Sequence, residues 1–166
     1  MNEIFTRRSI RKYQSKPVEQ EKLERILRAG MQAPSAQNEQ PWEFIVIAKD
    51  REMKQQISTM SPYAGMAANA GALIVVCSNL LVTDRNWWVE DLSACVQNML
   101  LQIEAEGLGG VWLGWYPDME RVERTKRALK LPEQITPFAV ISLGYPAETK
   151  ERADRFLPER VHYERY

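Results

Sequence analysis

The chain has 166 residues, a length that fits one domain, since domains usually run to about 100–200 residues. Its 45% hydrophobic and 27% charged residues indicate a packed globular core rather than a disordered segment. Because 22 Lys and Arg balance 22 Asp and Glu, net charge gives no overall attraction to nucleic acid or to an anionic membrane.

The cysteines and the chain start argue against a secreted or metal-bound protein. Cys77 and Cys95 lie in apolar runs, without Cys-x-x-Cys spacing or a nearby histidine, so neither a zinc site nor a disulfide is expected. The first residues lack a secretory signal, and a proline, glycines and asparagines interrupt the uncharged run 55–83. We therefore expect a cytoplasmic protein with neither nucleic acid nor membrane as a partner.

Hydrophobic spacing and turn residues predict alternating helices and strands. In chain order these are a short amphipathic segment around residues 4 and 5, a helix over 17–32, a buried strand over 42–48, a helix from a cap at Asp50 to about residue 60, a strand over 72–78, a helix over 84–106, a strand over 111–115, a helix over 118–130 and a strand over 138–143.

Two features are most distinctive in this pattern. The helix over 84–106 carries an apolar stripe at helical spacing and ends at Gly107, a residue that adopts the left-handed conformation at low cost; the stripe is Trp88, Leu92, Cys95, Val96, Met99 and Ile103. The segment 144–166 is rich in aromatic residues, but its hydrophobic residues follow neither helical nor strand spacing. Because exposed aromatic side chains need a surface to pack on, an extended arm lying on another subunit is one explanation.

Familiar catalytic constellations are absent from the sequence. The single histidine, His162, is close to the C-terminus, which argues against a Ser-His-Asp or Cys-His arrangement. The glycines at 107, 109 and 110 follow a predicted helix and precede a strand, the reverse of a Rossmann phosphate turn. A bound organic cofactor would therefore have to supply any difficult chemistry.

A basic cluster near the start is the first candidate binding site. Arg7, Arg8 and Arg11 would lie within about one helical turn, and with Ser9 they could converge on one phosphate group. A solvated basic surface is the alternative.

The loop 33–42 is the second candidate. Ser35, Gln37, Asn38 and Gln40 concentrate neutral donors and acceptors just before a strand, and such groups suit the edge of a heterocycle. A simple helix-to-strand connection with turn chemistry explains the same residues equally well.

Four segments together resemble the FMN-dependent nitroreductase family over essentially the whole chain. They are RRSIRKY, APSAQNEQPWEF, EGLGGVWLG, and GYP followed by an arm that ends in VHYERY. The resemblance implies an α+β fold, with a mostly antiparallel central sheet flanked by helices, as a single FMN-binding domain over residues 1–166. It also implies an intertwined homodimer, with FMN at the subunit interface and a swapped C-terminal arm, residues 144–166, packing on the partner.

The same resemblance assigns roles at the phosphate end of FMN. Arg7 and Ser9 would bind the phosphate, Arg8 would share the ribityl and phosphate region, and Arg11 would lie near the pyrimidine. A second phosphate-binding residue in the arm best matches Arg155, with Arg152 as the weaker alternative.

At the ring end, the resemblance implies contributions from both subunits. The opposite subunit would supply Pro34, Ser35 and Asn38, with Gln40 as a further candidate, and the backbone of 113–115 (Leu113, Gly114 and Trp115) would lie near flavin N5 and O4. Ala36 replaces a hydroxyl residue that many members carry. A mid-chain amide that many members use has no clear counterpart; its nearest register is Tyr63, and this position stays open.

The implied activity is an FMN-dependent NAD(P)H oxidoreductase. NADH or NADPH would deliver hydride to flavin N5 and leave, and a small-molecule acceptor such as a nitroaromatic or a quinone would then react in the same pocket, giving ping-pong kinetics. No catalytic side chain and no metal is expected. Two alternatives remain: a non-catalytic FMN-binding or redox-sensing dimer, and an aromatic arm that docks another protein.

Overall fold

A computed structural model describes residues 2–83 and 87–166, which form one antiparallel sheet between helices. Its strands are β1 (Trp42–Ile47), β2 (Ala72–Asn79), β3 (Gly109–Gly114) and β4 (Ile135–Gly144), in the order β1-β2-β4-β3. The helices are α1 (Glu3–Thr6), α2 (Gln20–Met31), α3 (Arg51–Ser58), α4 (Trp88–Ala105) and α5 (Met119–Leu129), and short 3-10 turns occupy Ala36–Asn38, Gly65–Asn69 and Pro158–Arg160. The predicted α+β class is confirmed.

The core lies on both faces of the sheet. Successive residues of a strand point to opposite faces, so Ile74 and Val76 of β2 pack in one cluster with α2 and α4, while Leu73 and Val75 pack in a second cluster with α3. This double coverage explains why β2 and β4 read as continuous apolar runs. Every residue of β4 is buried.

Several local predictions are confirmed. The stripe on α4 is buried from Leu92 to Ile103, with Trp88 partly buried against it. Asp50 caps α3 by accepting a hydrogen bond from the Met53 amide at 2.8 Å, and Gly107 has φ +70°. Both cysteines are free and buried, and burial raises the pKa of each thiol to about 12.

Some boundaries differ from the prediction. Helix α2 begins at Gln20 rather than at residue 17, because Glu19 is still extended. Strand β3 begins two residues early, at Gly109, and β4 three residues early, at Ile135, with its partner β2 shifting register at Val76/Cys77. The predicted start of the long helix, at residues 84–86, lies outside the described residues.

Strand β1 is less buried than its apolar sequence suggested. It pairs only with β2 and so forms one edge of the sheet, and Glu43 and Val46 are exposed. A strand that is covered on only part of its surface gives the same short apolar run as a central strand, so the pattern could not separate the two.

The prediction of a helical turn through Arg7, Arg8 and Arg11 is wrong. Helix α1 ends before Arg7, and Ser9 forms a parallel bridge with Gly110, where the Ile10 amide donates to the Gly110 carbonyl at 3.0 Å. The segment is extended because β3 offers it a free edge. Gly109 permits the approach, since a Cβ there would lie 2.7 Å from Ile10.

The C-terminal segment divides into two parts. Residues 145–148 contact the N-terminal segment of the same chain: Pro146 bridges Tyr13, and the Ala147 amide donates to the Lys12 carbonyl at 2.9 Å. Residues 151–166 are exposed throughout, including large apolar side chains such as Phe156 at 71% and Tyr163 at 83%. The Glu151 carbonyl and the Arg152 guanidinium still contact Arg8 and Phe5 of the same chain, so the exposed apolar side chains of this part are what another surface could cover.

In the described ranges, no helix is long and apolar enough to cross a membrane.

Candidate functional site

The free edge of β3 is the feature around which the candidate site is built. Peptide groups of an antiparallel strand face its two neighbours alternately. Gly110 is bonded to the N-terminal segment, away from β4, so alternation places the N–H of Gly114 on the same open side. The amides of Trp115 and Tyr116 both donate to the Phe138 carbonyl, at 3.1 and 3.0 Å, and cannot serve that edge.

Open space surrounds Gly114. The residue is exposed, and a Cβ at this position would meet no atom within 4 Å. Leu113 pairs with Val140 on the other side of the strand, so among the three backbone positions predicted to meet the flavin, only Gly114 presents its N–H to the open edge. A ligand that accepts a hydrogen bond can therefore reach the end of β3.

A cluster of three arginines lies at the other end of this edge. Burial, then Arg155, then Arg8 lower the pKa of Arg7, against a smaller opposite effect of Glu104. Among the described residues, no carboxylate forms a hydrogen bond or an ion pair with the Arg7 side chain. Neighbouring positive charges of this kind favour a bound anion, because an anion would relieve their mutual repulsion.

Arg8 supplies a more specific sign of an anion-binding site. Its Nε donates to the Glu151 carbonyl at 2.8 Å, and its Nη1 donates to the carbonyls of Phe5 and Arg7 at 3.1 and 2.6 Å. Its Nη2 is buried without a partner. Buried donors in native proteins are nearly always paired, so this nitrogen fits a phosphate oxygen.

Two residues that the sequence analysis missed hold the N-terminal segment in place. Lys150 donates to the Ser9 carbonyl at 2.6 Å, and Glu148 accepts from the amides of Arg11 and Lys12 at 2.6 and 3.3 Å. These amide hydrogen bonds, that of Arg11 first, lower the pKa of Glu148. The only signal in the sequence was the alternation of charges after Pro146.

The N-terminal segment covers only the start of this edge. It runs parallel to β3 at Ser9, and beyond Ile10 it turns to the residues that follow β4, where the Ala147 amide donates to the Lys12 carbonyl and Tyr13 bridges Pro146. At about 3.3 Å per residue, the four steps from Gly110 to Gly114 cover about 13 Å. The edge therefore suits an elongated ligand with an anionic group at one end and hydrogen-bond acceptors at the other.

The loop 34–40 is a strained turn. Gln37, Asn38 and Gln40 have φ of 51°, 59° and 51°, a left-handed conformation that is uncommon for residues other than glycine. The Ser35 hydroxyl accepts from the Gln40 amide at 3.0 Å. Strain of this kind persists where surrounding contacts hold it, and it is frequent at ligand sites.

Asp91, which the sequence analysis did not select, anchors this loop. Its Oδ1 accepts from the Ala36 amide at 2.9 Å, the residue is 6% exposed, and its Oδ2 is buried without a partner. A carboxylate inside an apolar helix stripe is difficult to distinguish by sequence from an ordinary residue of the first helical turn.

The structure brings some predicted site residues together and leaves others apart. Arg155 lies close enough to Arg7 to affect its pKa, whereas Arg152 lies over the Phe5 ring at 5.1 Å. Within the part of the chain described, no hydrogen bond joins the loop 34–40 to the basic cluster or to Gly114. Tyr63 is 76% exposed.

The chain matches proteins of one family. A model of the nitroreductase family matches residues 4–62 and 58–145. A protein of Archaeoglobus fulgidus, provisionally named an NADH dehydrogenase/NAD(P)H nitroreductase, is 46% identical over 98% of this chain and 96% of its own length.

Solved structures show the same fold. An FMN-dependent nitroreductase from Clostridium difficile R20291 superposes with a TM-score of 0.92 at 30% identity, covering 99% of both chains. A nitroreductase, provisionally assigned, from Desulfovibrio desulfuricans in complex with FMN superposes with a TM-score of 0.85 at 31% identity, covering 99% of this chain and 96% of the other.

Replacing Asp91 tests its role as the anchor of the loop. Asp91→Ala leaves the partly buried Ala36 amide without its acceptor, which we expect to lower the free energy of unfolding by about 1–3 kcal/mol. Asp91→Asn keeps an oxygen acceptor at this place, so its free energy of unfolding should fall by less than that of Asp91→Ala. Urea unfolding at a fixed protomer concentration measures both, and equal losses for the two variants would contradict the anchoring role.

Proposed function

The chain belongs to the nitroreductase family, and we propose that it is an FMN-dependent oxidoreductase that takes electrons from NADH or NADPH. The observation that carries this proposal is the free edge of β3, with three arginines near one end and the open N–H of Gly114 at the other. An edge of this form suits FMN, which joins a phosphate to a flat ring through a flexible chain.

The phosphate end fits the basic cluster. Arg7, Arg8 and Arg155 would provide charge, and Ser9 would provide a hydroxyl. A phosphate oxygen would satisfy the orphaned Nη2 of Arg8, and charge-assisted hydrogen bonds from guanidinium groups to phosphate are among the strongest in proteins.

The ring end fits the open end of β3. When bound, FMN supplies hydride transfer from the nicotinamide and onward reduction of an acceptor. The N–H of Gly114 would donate to the N5 and O4 edge and hold the ring in place. Arg11, which the family resemblance assigns to the pyrimidine end, would stabilise the negative charge that reduction places on the pyrimidine.

A homodimer would complete the site. The described residues give no hydrogen bond between the loop and the basic cluster of the same chain, and the loop residues Pro34, Ser35, Asn38 and Gln40 would instead serve the site of the partner. The exposed apolar side chains of 151–166 would be covered if this part of the arm lay on the partner subunit, because isolated exposed aromatic side chains gain stability by packing.

The proposed reaction has two half-reactions in one pocket. The donor leaves after transferring hydride, and an acceptor such as a nitroaromatic or a quinone takes its place, so kinetics would be ping-pong. A non-catalytic FMN-binding or redox-sensing dimer is the second candidate. The 46% identical relative that is provisionally named an NADH dehydrogenase/NAD(P)H nitroreductase favours turnover.

Absorbance spectra under anaerobic conditions test this function. We expect the purified, FMN-loaded protein to show flavin bands that bleach when NADH or NADPH is added and return when a quinone is added. Bands that neither nucleotide bleaches would favour the non-catalytic candidate, and a protein that takes up no FMN would overturn the proposal.

Paired arginine variants test the phosphate site. Arg7→Ala and Arg155→Ala should each weaken FMN binding by about 1.5–3 kcal/mol, the range for a hydrogen bond to a charged group. Arg152→Ala, which removes the same charge from the arm, is the matched control and should change affinity little. Fluorescence titration of the apoprotein with FMN measures all three, and an Arg152→Ala loss equal to that of Arg155→Ala would reverse the assignment.

A further inference from the structure

We propose that a stripe of arginines on α5, formed by Arg121, Arg124 and Arg127 and called here the α5 stripe, binds the phosphate groups of the nicotinamide dinucleotide that reduces the protein. This proposal rests on the proposed function, since it names the surface that holds the electron donor. The stripe lies outside the predicted FMN phosphate site, which is formed by Arg7, Arg8 and Arg155.

Helix geometry makes the stripe continuous. Its residues recur every three positions, so they lie near one another on the helix surface, with a rise of about 4.5 Å between neighbours. The inward face of α5 is formed by Val122 and Thr125, both fully buried. The stripe therefore runs along the flank of a helix that is held against the sheet.

A groove between α3 and α5 receives the far part of the stripe. Its volume is about 350 Å³, and it is lined by Gln56, Met60, Arg124, Arg127 and Ala128. No carboxylate lines it. Neither the Arg124 nor the Arg127 side chain forms a hydrogen bond or an ion pair with any residue in 2–83 or 87–166, although Glu120 and Glu123 are on the same helix. The two charges are thus left to meet an external anion.

The near end of the stripe reaches the proposed ring site. The Nη1 of Arg121 donates to the Gly114 carbonyl at 3.3 Å, and its Nε lies 3.1 Å from Oδ2 of Asp118. Asp118 also caps α5, so this guanidinium is fixed beside the open end of β3. A guanidinium has more N–H groups than these two contacts use, and the remainder can bind a ligand.

The chemistry of the donor matches this arrangement. NADH and NADPH carry a diphosphate joined to an uncharged reduced nicotinamide, and planar guanidinium groups bind phosphate oxygens in pairs. The nicotinamide would lie at the flavin next to Gly114, and the phosphates would follow the stripe towards the groove. The chain has no net charge, so the attraction of an anionic donor would come from local clusters such as this stripe.

The test uses the FMN-loaded protein and three hydride donors. NADH and NADPH carry phosphates, whereas 1-benzyl-1,4-dihydronicotinamide has the same reacting ring without them. The variant is Arg124→Gln/Arg127→Gln. The control, Lys49→Gln/Arg51→Gln, removes the same charge from exposed residues before and at the start of α3. Stopped-flow bleaching gives the dissociation constant for each donor, and calorimetry with NADP⁺ measures binding without turnover.

We expect Arg124→Gln/Arg127→Gln to weaken the binding of NADH, NADPH and NADP⁺ about tenfold or more. The rate of reduction by the benzyl donor should stay within about twofold of that of the unmodified protein. The salt dependence of dinucleotide binding should become smaller. The control should resemble the unmodified protein. Unchanged dinucleotide binding, or an equal loss with all three donors, would overturn the proposal. Failure of the unmodified protein to be reduced by any donor would instead refute the proposed function and this inference with it.

Discussion

The site depends on one constraint, an edge strand whose free side is only partly covered. Free strand edges expose unpaired peptide groups and are normally protected in native proteins. Here the N-terminal segment covers β3 at Gly110, and the strand stays open at Gly114. The same edge thus gains a basic segment and keeps a free donor, so the two ends of an elongated ligand can be bound without any dedicated domain.

The arginine cluster is the energetic counterpart of this open edge. Burial, and then the nearby charges of Arg155 and Arg8, lower the pKa of Arg7. Leaving Arg8 Nη2 buried without a partner also costs free energy. Such arrangements are poor for stability alone, and proteins often violate local rules where they bind ligands. An anion that relieves both penalties would stabilise the folded protein as it binds.

Local features could be predicted from the sequence, and long-range ones could not. The cap at Asp50, the α4 stripe and the end at Gly107 depend on residues within a few positions, and each was predicted. The extended path of Arg7–Arg11 depends on Gly110, about a hundred residues away, and a helical turn was expected instead. The anchoring of the loop by Asp91 and the contact of Arg121 with Gly114 were missed because single charged residues on a helix carry no distinguishing pattern.

Hydrogen–deuterium exchange of the apoprotein and the FMN-loaded protein tests the central claim most directly. If the free edge of β3 binds FMN, loading should slow exchange in peptides covering residues 7–11 and 112–116, and also in the loop 34–40 if the proposed dimer places it at the partner's site. The amides of Leu113 and Trp115 already face β4, so the change at β3 should come from Gly114. Protection confined to other surfaces, with none along β3, would contradict the account.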